Sequence, residues 1–294
     1  MVAFKRLVRF TAGTQTHYGD LVSAAGNEYT VRKLEGSPFT SLRATEEIVN
    51  VEKLECPIES TPIVVCIGLN YRHHAQEANV SILKHFLRNT FQFLLSLQPI
   101  SFLYQHTLPS FTKPADALAG PFEAIDIHPD ARELLDYEGE QNVVIGKDAK
   151  NVSEADALDY VLGYTAGNDV SAHNFQIPEA SGGQFCYAKS LDKFAPIGHT
   201  IVAAQEIPDP QTLKLTTKVN GVVKQETSTA DMIWGVRQII SHLSRGTTLR
   251  KGTVIMTGTP SGVGYFRKEF LQNGDVVEVE IEGVAVTRNR MNHA

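Results

Sequence analysis

Short alternating runs of apolar and polar residues dominate the chain. FKRLVRF (Phe4–Phe10), HYGDLVS (His17–Ser23) and EYTVRKL (Glu28–Leu34) are separated by Gly, Ser and Asn, which predicts a small β-rich domain over residues 1–60. Pro57 and Pro62 bracket a linker to a second domain, residues 61–294. PIVVCIGLNY (Pro62–Tyr71) reads as a buried strand ending in a turn, followed by a helix over His73–Val80. Leu135–Ile145 is predicted to be extended. Ser153 and Asp156 suit the start of a helix running to Val161, and Gly163–Val170 returns as a strand. Asn220-Gly221 marks a hairpin. Met232, Ile233, Val236, Ile239, Ile240 and Leu243 follow helical spacing, predicting an amphipathic helix over Asp231–Ser244. GTVIMTG (Gly252–Gly258) is a buried strand, and DVVEVEIEG (Asp275–Gly283) alternates strictly. Many hairpins and few helices predict a mainly β, α+β fold and argue against a doubly wound sheet.

Composition narrows the function classes. The chain has 294 residues, a formal net charge of -6 and no basic tract, which argues against nucleic-acid or anionic-membrane partners. Asn89–Thr112 carries no Asp, Glu, Lys or Arg, but Gln92, Ser96, Gln98, Pro99 and Ser101 break up its apolar core. A membrane span needs about 20 predominantly apolar residues, so this segment reads as a buried helix or an insertion. Cys56, Cys66 and Cys186 form no CxxC and suggest a reducing compartment. Met1–Phe10 has no apolar signal region, which points to the cytoplasm, with the mitochondrion as the alternative.

Candidate chemistry centres on LDYEGEQNVVIG. Glu138 and Glu140 are two apart on an extended segment and share a face. The apolar run Val143-Val144-Ile145 suggests burial on both sides, where two carboxylates repel unless a cation joins them. Hard oxygen ligands suit Mg²⁺ or Mn²⁺, with Ca²⁺ possible. A solvated strand face is the competing reading, and Glu278, Glu280 and Glu282 on the alternating tail strand fit that reading well. Asp169 would supply a third ligand, or serve only as a turn residue. His74 and Glu77 are three apart on the first helix and share a face, an arrangement for a general base or for a surface pair. Lys189 is a candidate substrate group or a snorkelling lysine. TGTPSGVG (Thr257–Gly264) is a Gly-rich turn lacking the GK[ST] of a nucleotide loop.

Taken in order, GLNYRHHAQE, TKPADALAGP, LDYEGEQNVVIG, DYVLGYTAGNDVSA, YAKSLD, VNGVVKQ and TGTPSGVG resemble the fumarylacetoacetate hydrolase family, in its short branch of acylpyruvases and oxaloacetate decarboxylases. The resemblance implies a roll of mixed β-sheets and a divalent metal held by Glu138, Glu140 and Asp169. It implies His74 and Glu77 as a water-activating pair on a lid helix, with Lys189 polarising substrate. Thr259, Lys113 and His173 are implied substrate contacts, His173 standing where the family often has Arg. It also implies a homodimer. Two expectations follow for activity: hydrolysis of a C–C bond in a small β-dicarbonyl acid, or decarboxylation or keto–enol isomerisation at the same site. A third follows from residues 81–110, an apolar insertion longer than most structureless loops, which by blocking the lid would leave a non-catalytic binding protein.

Overall fold

The computed structural model describes residues 3–26, 28–78 and 108–293. The apolar segment Phe91–Tyr104 lies outside them, as does most of the predicted insertion. No described helix is long and apolar enough to cross a membrane.

A large mixed sheet carries the molecule. Its strands run in the order Ser41–Val51, Glu28–Ser37, Gln15–Ala25, Arg6–Ala12, Ile201–Ala203, Val161–Asn168, Gly139–Ile145, Val254–Met256, Val64–Ile67 and Ser110–Lys113. All neighbours are antiparallel except Val254–Met256 and Val64–Ile67, which pair in parallel. The N-terminal strands continue the sheet through Leu7 opposite Ile201. They also keep a small core of their own, including Val8, Phe10, Val31 and Leu54. A second sheet, in the order Val222–Ser228, Lys214–Val219, Val276–Ile281, Ala285–His293 and Ile125–Ile127, packs against the first.

Strand Gly139–Ile145 shows why the interior holds. Every one of its residues is buried. Val143 and Ile145 enter the main core, and Val144 on the opposite face enters a second one with Val254, Met256 and Cys66. Each such side chain contributes about 1.5–3 kcal/mol by leaving water. The strand does not start at Leu135 as one unbroken segment. Leu135–Asp136 pairs separately with Ser171–Ala172, and Tyr137 and Glu138 lie between the two strands.

Three helix expectations shorten. The first helix is Arg72–Glu77, and Asn79 and Val80 lie outside the described residues. The predicted helix from Ser153 is only a 3-10 turn, Ala157–Tyr160. Ser153 does not cap it but closes the turn just before, its hydroxyl accepting from Asp156 N and donating to the Asp156 carboxylate. So short a segment repays little of the cost of helix nucleation, and Val161 is already committed to pairing with Ile145. The amphipathic helix begins at Val236 rather than Asp231 and ends at Leu243. Its expected first turn is spent on Asn70: Ile233 N bonds the Asn70 carbonyl, and Trp234 N and O bond the Asn70 amide.

Candidate metal centre

Glu138, Glu140 and Asp169 converge, each offering an oxygen within 4.8 Å of the others. Three chain segments meet to do this. Asp169 follows strand Val161–Asn168, and its N–H bonds the Glu138 carbonyl at 2.8 Å. Glu138 N in turn donates to the Asn168 side chain. Gly139, between the two glutamates, must be glycine: a Cβ there would lie 1.9 Å from Thr217 Oγ1 on the second sheet. Gly258, after strand Val254–Met256, donates its N–H to Glu140 Oε2 at 2.6 Å. It adopts φ +102°, and a Cβ would meet Asn70 Cβ at 2.7 Å, so only glycine fits this turn.

Two lysines attend the acids. Lys189 Nζ lies 2.7 Å from Glu138 Oε1 and 3.0 Å from Asp169 Oδ2. Lys113 Nζ lies 2.6 Å from Asp169 Oδ1 and donates to the carbonyls of Val170, Lys189 and Phe194. Lys113, expected as a substrate contact, is completely buried, and its three donors all meet backbone carbonyls.

The charges do not balance. Three carboxylates, Glu140 and Asp169 buried and Glu138 half-buried, face two ammonium groups. Burial works to raise the Glu138 carboxyl, but Lys189 and then His173 carry it below the ordinary range. For Glu140, burial, then Asp169, then Glu138 push the carboxyl well up and outweigh the Gly258 N–H and the Lys189 charge, which pull it down. For Lys189, burial opposes the charge, and Asp169 and Glu138 outweigh it, so the ammonium is held above its ordinary value. Among the described residues, none donates to Glu138 Oε2 or Glu140 Oε1. An all-oxygen donor set with surplus negative charge and two open carboxylate oxygens fits a hard divalent cation.

The remaining predicted residues divide. His74 Nδ1 lies 3.0 Å from Glu77, whose carboxylate also accepts from Gly262 N, so the pair docks helix Arg72–Glu77 onto the Gly-rich turn. His73 instead meets Asp231. Thr259 Oγ1 donates to Gly139 O and accepts from Gln225 Nε2, which ties its hydroxyl to the strand between the two glutamates. His173 Nε2 lies 3.0 Å from Asp136, and its ring packs on Tyr265.

Sequence reasoning missed several supporting groups. The Asp136 carboxylate accepts from the backbone N–H groups of Tyr137, Gly264 and Tyr265. It therefore joins the ligand segment to the Gly-rich turn, and its place two residues before Glu138 was the available signal. Asn70 donates to Thr257 O, and Ser171 donates to Glu138 Oε1. Gln225 accepts from Gly139 N and donates to Pro260 O. Nothing in the spacing of these polar residues marks them in advance.

Residues 63–292 match the model for the fumarylacetoacetate (FAA) hydrolase C-terminal family. The chain belongs to this family. It is 40% identical to a fumarylacetoacetate hydrolase domain-containing protein 2 homolog of Dictyostelium discoideum, the match covering 83% of this chain and 81% of the relative. It is 36% identical to oxaloacetate tautomerase YisK of Bacillus subtilis, over 81% of this chain and 73% of the relative. Among solved structures, a 2-hydroxyhepta-2,4-diene-1,7-dioate isomerase from Mycobacterium marinum superposes with a TM-score of 0.78 at 32% identity, covering 98% of both chains. The family thus includes proteins named for isomerase and tautomerase chemistry as well as hydrolysis, and the sheet-dominated fold is shared with them.

Proposed function

We propose that the protein is a divalent-metal-dependent enzyme that interconverts keto and enol forms of a small 2-oxo acid, as the tautomerases among its relatives are named to do. The observation that carries this reading is the acid triad, two of its members buried, with the Lys189 ammonium already hydrogen-bonded into it. Glu138, Glu140 and Asp169 would hold the cation. When bound, Mg²⁺ or Mn²⁺ supplies Lewis-acid polarisation of the oxo group.

The chain's own groups supply the rest. Lys189 brings a fixed positive charge to the oxygen on which negative charge develops. His74, oriented by Glu77 through Nδ1, presents Nε2 as the atom that takes or returns a proton. Phe266 packs edge-on against the His74 ring at 5.8 Å and shields it from water. Lys113 acts by positioning, since it grips Asp169 and the Lys189 carbonyl together.

A second reading, hydrolysis of a C–C bond in a β-dicarbonyl acid, is favoured by the His74–Glu77 pair, which suits activation of a water. Purified protein with Mg²⁺ is assayed on oxaloacetate enol by absorbance and on acylpyruvates by product analysis, with Glu138→Ala alongside. The expected result is loss of enol absorbance above the mutant background without acid fragments. Turnover of neither substrate above that background would sink both readings.

A further inference from the structure

Asn142 stands two residues after Glu140 on strand Gly139–Ile145, so its side chain shares the face that carries Glu140 and, further on, Val144. It is completely buried, yet neither its amide nitrogen nor its amide oxygen has a hydrogen-bond partner among the described residues. Thr165, directly opposite on strand Val161–Asn168, is equally buried, and its hydroxyl is unpartnered as well. Buried polar atoms are almost always bonded, and an amide with both ends open carries the full loss of its hydration. Three such atoms on two facing residues call for a shared polar partner.

The placement of the amide is specific. It lies over Gly167, where a Cβ would fall 2.0 Å from Asn142 Nδ2 and 2.8 Å from Oδ1. Gly167 is itself directly opposite Glu140. The Asn142 amide therefore leans along the sheet toward the metal ligand, into space that only a glycine leaves. Glu140 leans to the other side of its own strand, where it accepts from Gly258 N. The two head groups share a face and diverge, and no bond joins them directly. Water, which donates and accepts alike, suits an amide, a hydroxyl and a carboxylate set around one spot, and an internal water typically makes about three hydrogen bonds.

We propose that Asn142 is a positioning residue: with Thr165 it holds an internal water that hydrogen-bonds the Glu140 carboxylate and fixes it for the cation. This rests on the reading of the triad as a metal centre. Asn142 acts through Glu140 and touches no substrate.

Asn142→Leu keeps the bulk of the side chain and removes both polar atoms, and Thr165→Val replaces the facing hydroxyl by a methyl. Mg²⁺ is titrated by calorimetry into the full chain, each single variant and the double variant, with Tm measured without metal in parallel. Each single substitution is expected to lower Mg²⁺ affinity about tenfold, the lower end for a disturbed outer-shell partner. The double variant should lose little more than either alone, because both changes remove the same water. A merely structural amide gives a different pattern: exchanging an unbonded buried polar group for an apolar one of like shape leaves metal affinity unchanged and holds or raises Tm. Unchanged affinity in either single variant, or losses that multiply in the double variant, would overturn the assignment. A crystal structure of the Mg²⁺-loaded wild type is the direct check, and finding no water in hydrogen-bond reach of both Asn142 and Glu140 would overturn it too. If the wild type itself binds no Mg²⁺, the metal-centre reading fails and the assignment falls with it.

Discussion

Glu138 and Glu140 stand two residues apart in extended chain, as do Glu278 and Glu280. Locally the two pairs are alike, and only their surroundings differ. Glu140 is buried and Glu138 half-buried, together with a third, buried acid, and two lysines are not enough to neutralise them. Glu278 lies at the surface, 2.9 Å from Lys218 and within 3.9 Å of Arg288. Glu280, 43% exposed, sits across the same Lys218. Water and mobile cations settle the tail pair, whereas the interior pair keeps a charge deficit that only a bound cation fills. Spacing therefore proposes a ligand pair, and burial decides whether it is one.

The largest expected effect comes from truncating one member of each pair. Glu140→Ala removes a charged ligand, and Mg²⁺ affinity should fall by more than about a hundredfold, since disturbing an outer-shell partner alone costs about 10–100-fold. Activity should fall with it. Glu280→Ala should leave both unchanged. Calorimetry on the two variants checks this, and equal behaviour would break the comparison.

That contrast also explains what was legible in the sequence. The tail strand declared itself through strict alternation, because one face meets water and the other meets Val277, Val279 and Ile281. Strand Gly139–Ile145 was legible as buried from its apolar run, and Glu138, Glu140, Asp169 and Lys189 were legible as an ordered motif set. Lys113 was legible as a lysine beside the site, but only the fold reveals its four oxygen partners. Asn70 and Gln225 lie inside the matched motifs but had no legible role, and Asp136 was marked only by its place two residues before Glu138. Their work is to bond backbone groups across long sequence separations, and no local pattern encodes that. The helix boundaries erred for the same reason, since Asn70 captures the first turn expected of Asp231–Ser244 from 164 residues away.

The counter-cations sharpen the comparison at smaller scale. Lys113→Met strands a buried Asp169 and three carbonyl oxygens, and breaking a buried pair costs about 3–5 kcal/mol. In a chain of this size that lowers Tm by several degrees, at about 2–4 °C per kcal/mol. Added Mg²⁺ should recover part of the loss, because the variant's buried surplus charge is larger. Lys218→Met, at a partly exposed pair, should cost no more than about 1 kcal/mol. Thermal unfolding with and without Mg²⁺ measures both. A Lys113→Met protein as stable as wild type would mean that the buried ammonium is not the brace described.

The smallest effect is a pH dependence carried by Glu140. Its carboxyl in the folded state lies well above the unfolded value of 4.5, driven first by burial and then by Asp169 and Glu138. A group raised in this way contributes its stability fully below pH 4.5 and loses it as pH rises toward the folded value. Glu138 is shifted the opposite way, so its stability is present above its unfolded value and lost as pH falls through the folded one. The two trends oppose each other in wild type, and Glu140→Gln, neutral at every pH, separates them. With a chelator present, Glu140→Gln should gain in Tm relative to wild type as pH is raised from 4.5, by a few degrees at most. Saturating Mg²⁺ should reverse that ordering, because a cation bound at about a hundred times its Kd stabilises wild type by about 2.7 kcal/mol and has a weaker site in the variant. The same substitution at Glu280, whose carboxyl faces water and Lys218, should give Tm curves parallel to wild type under both conditions. If the chelated Glu140→Gln curve also stays parallel to wild type, the two glutamate pairs are electrostatically alike, and burial has not made one of them a metal site.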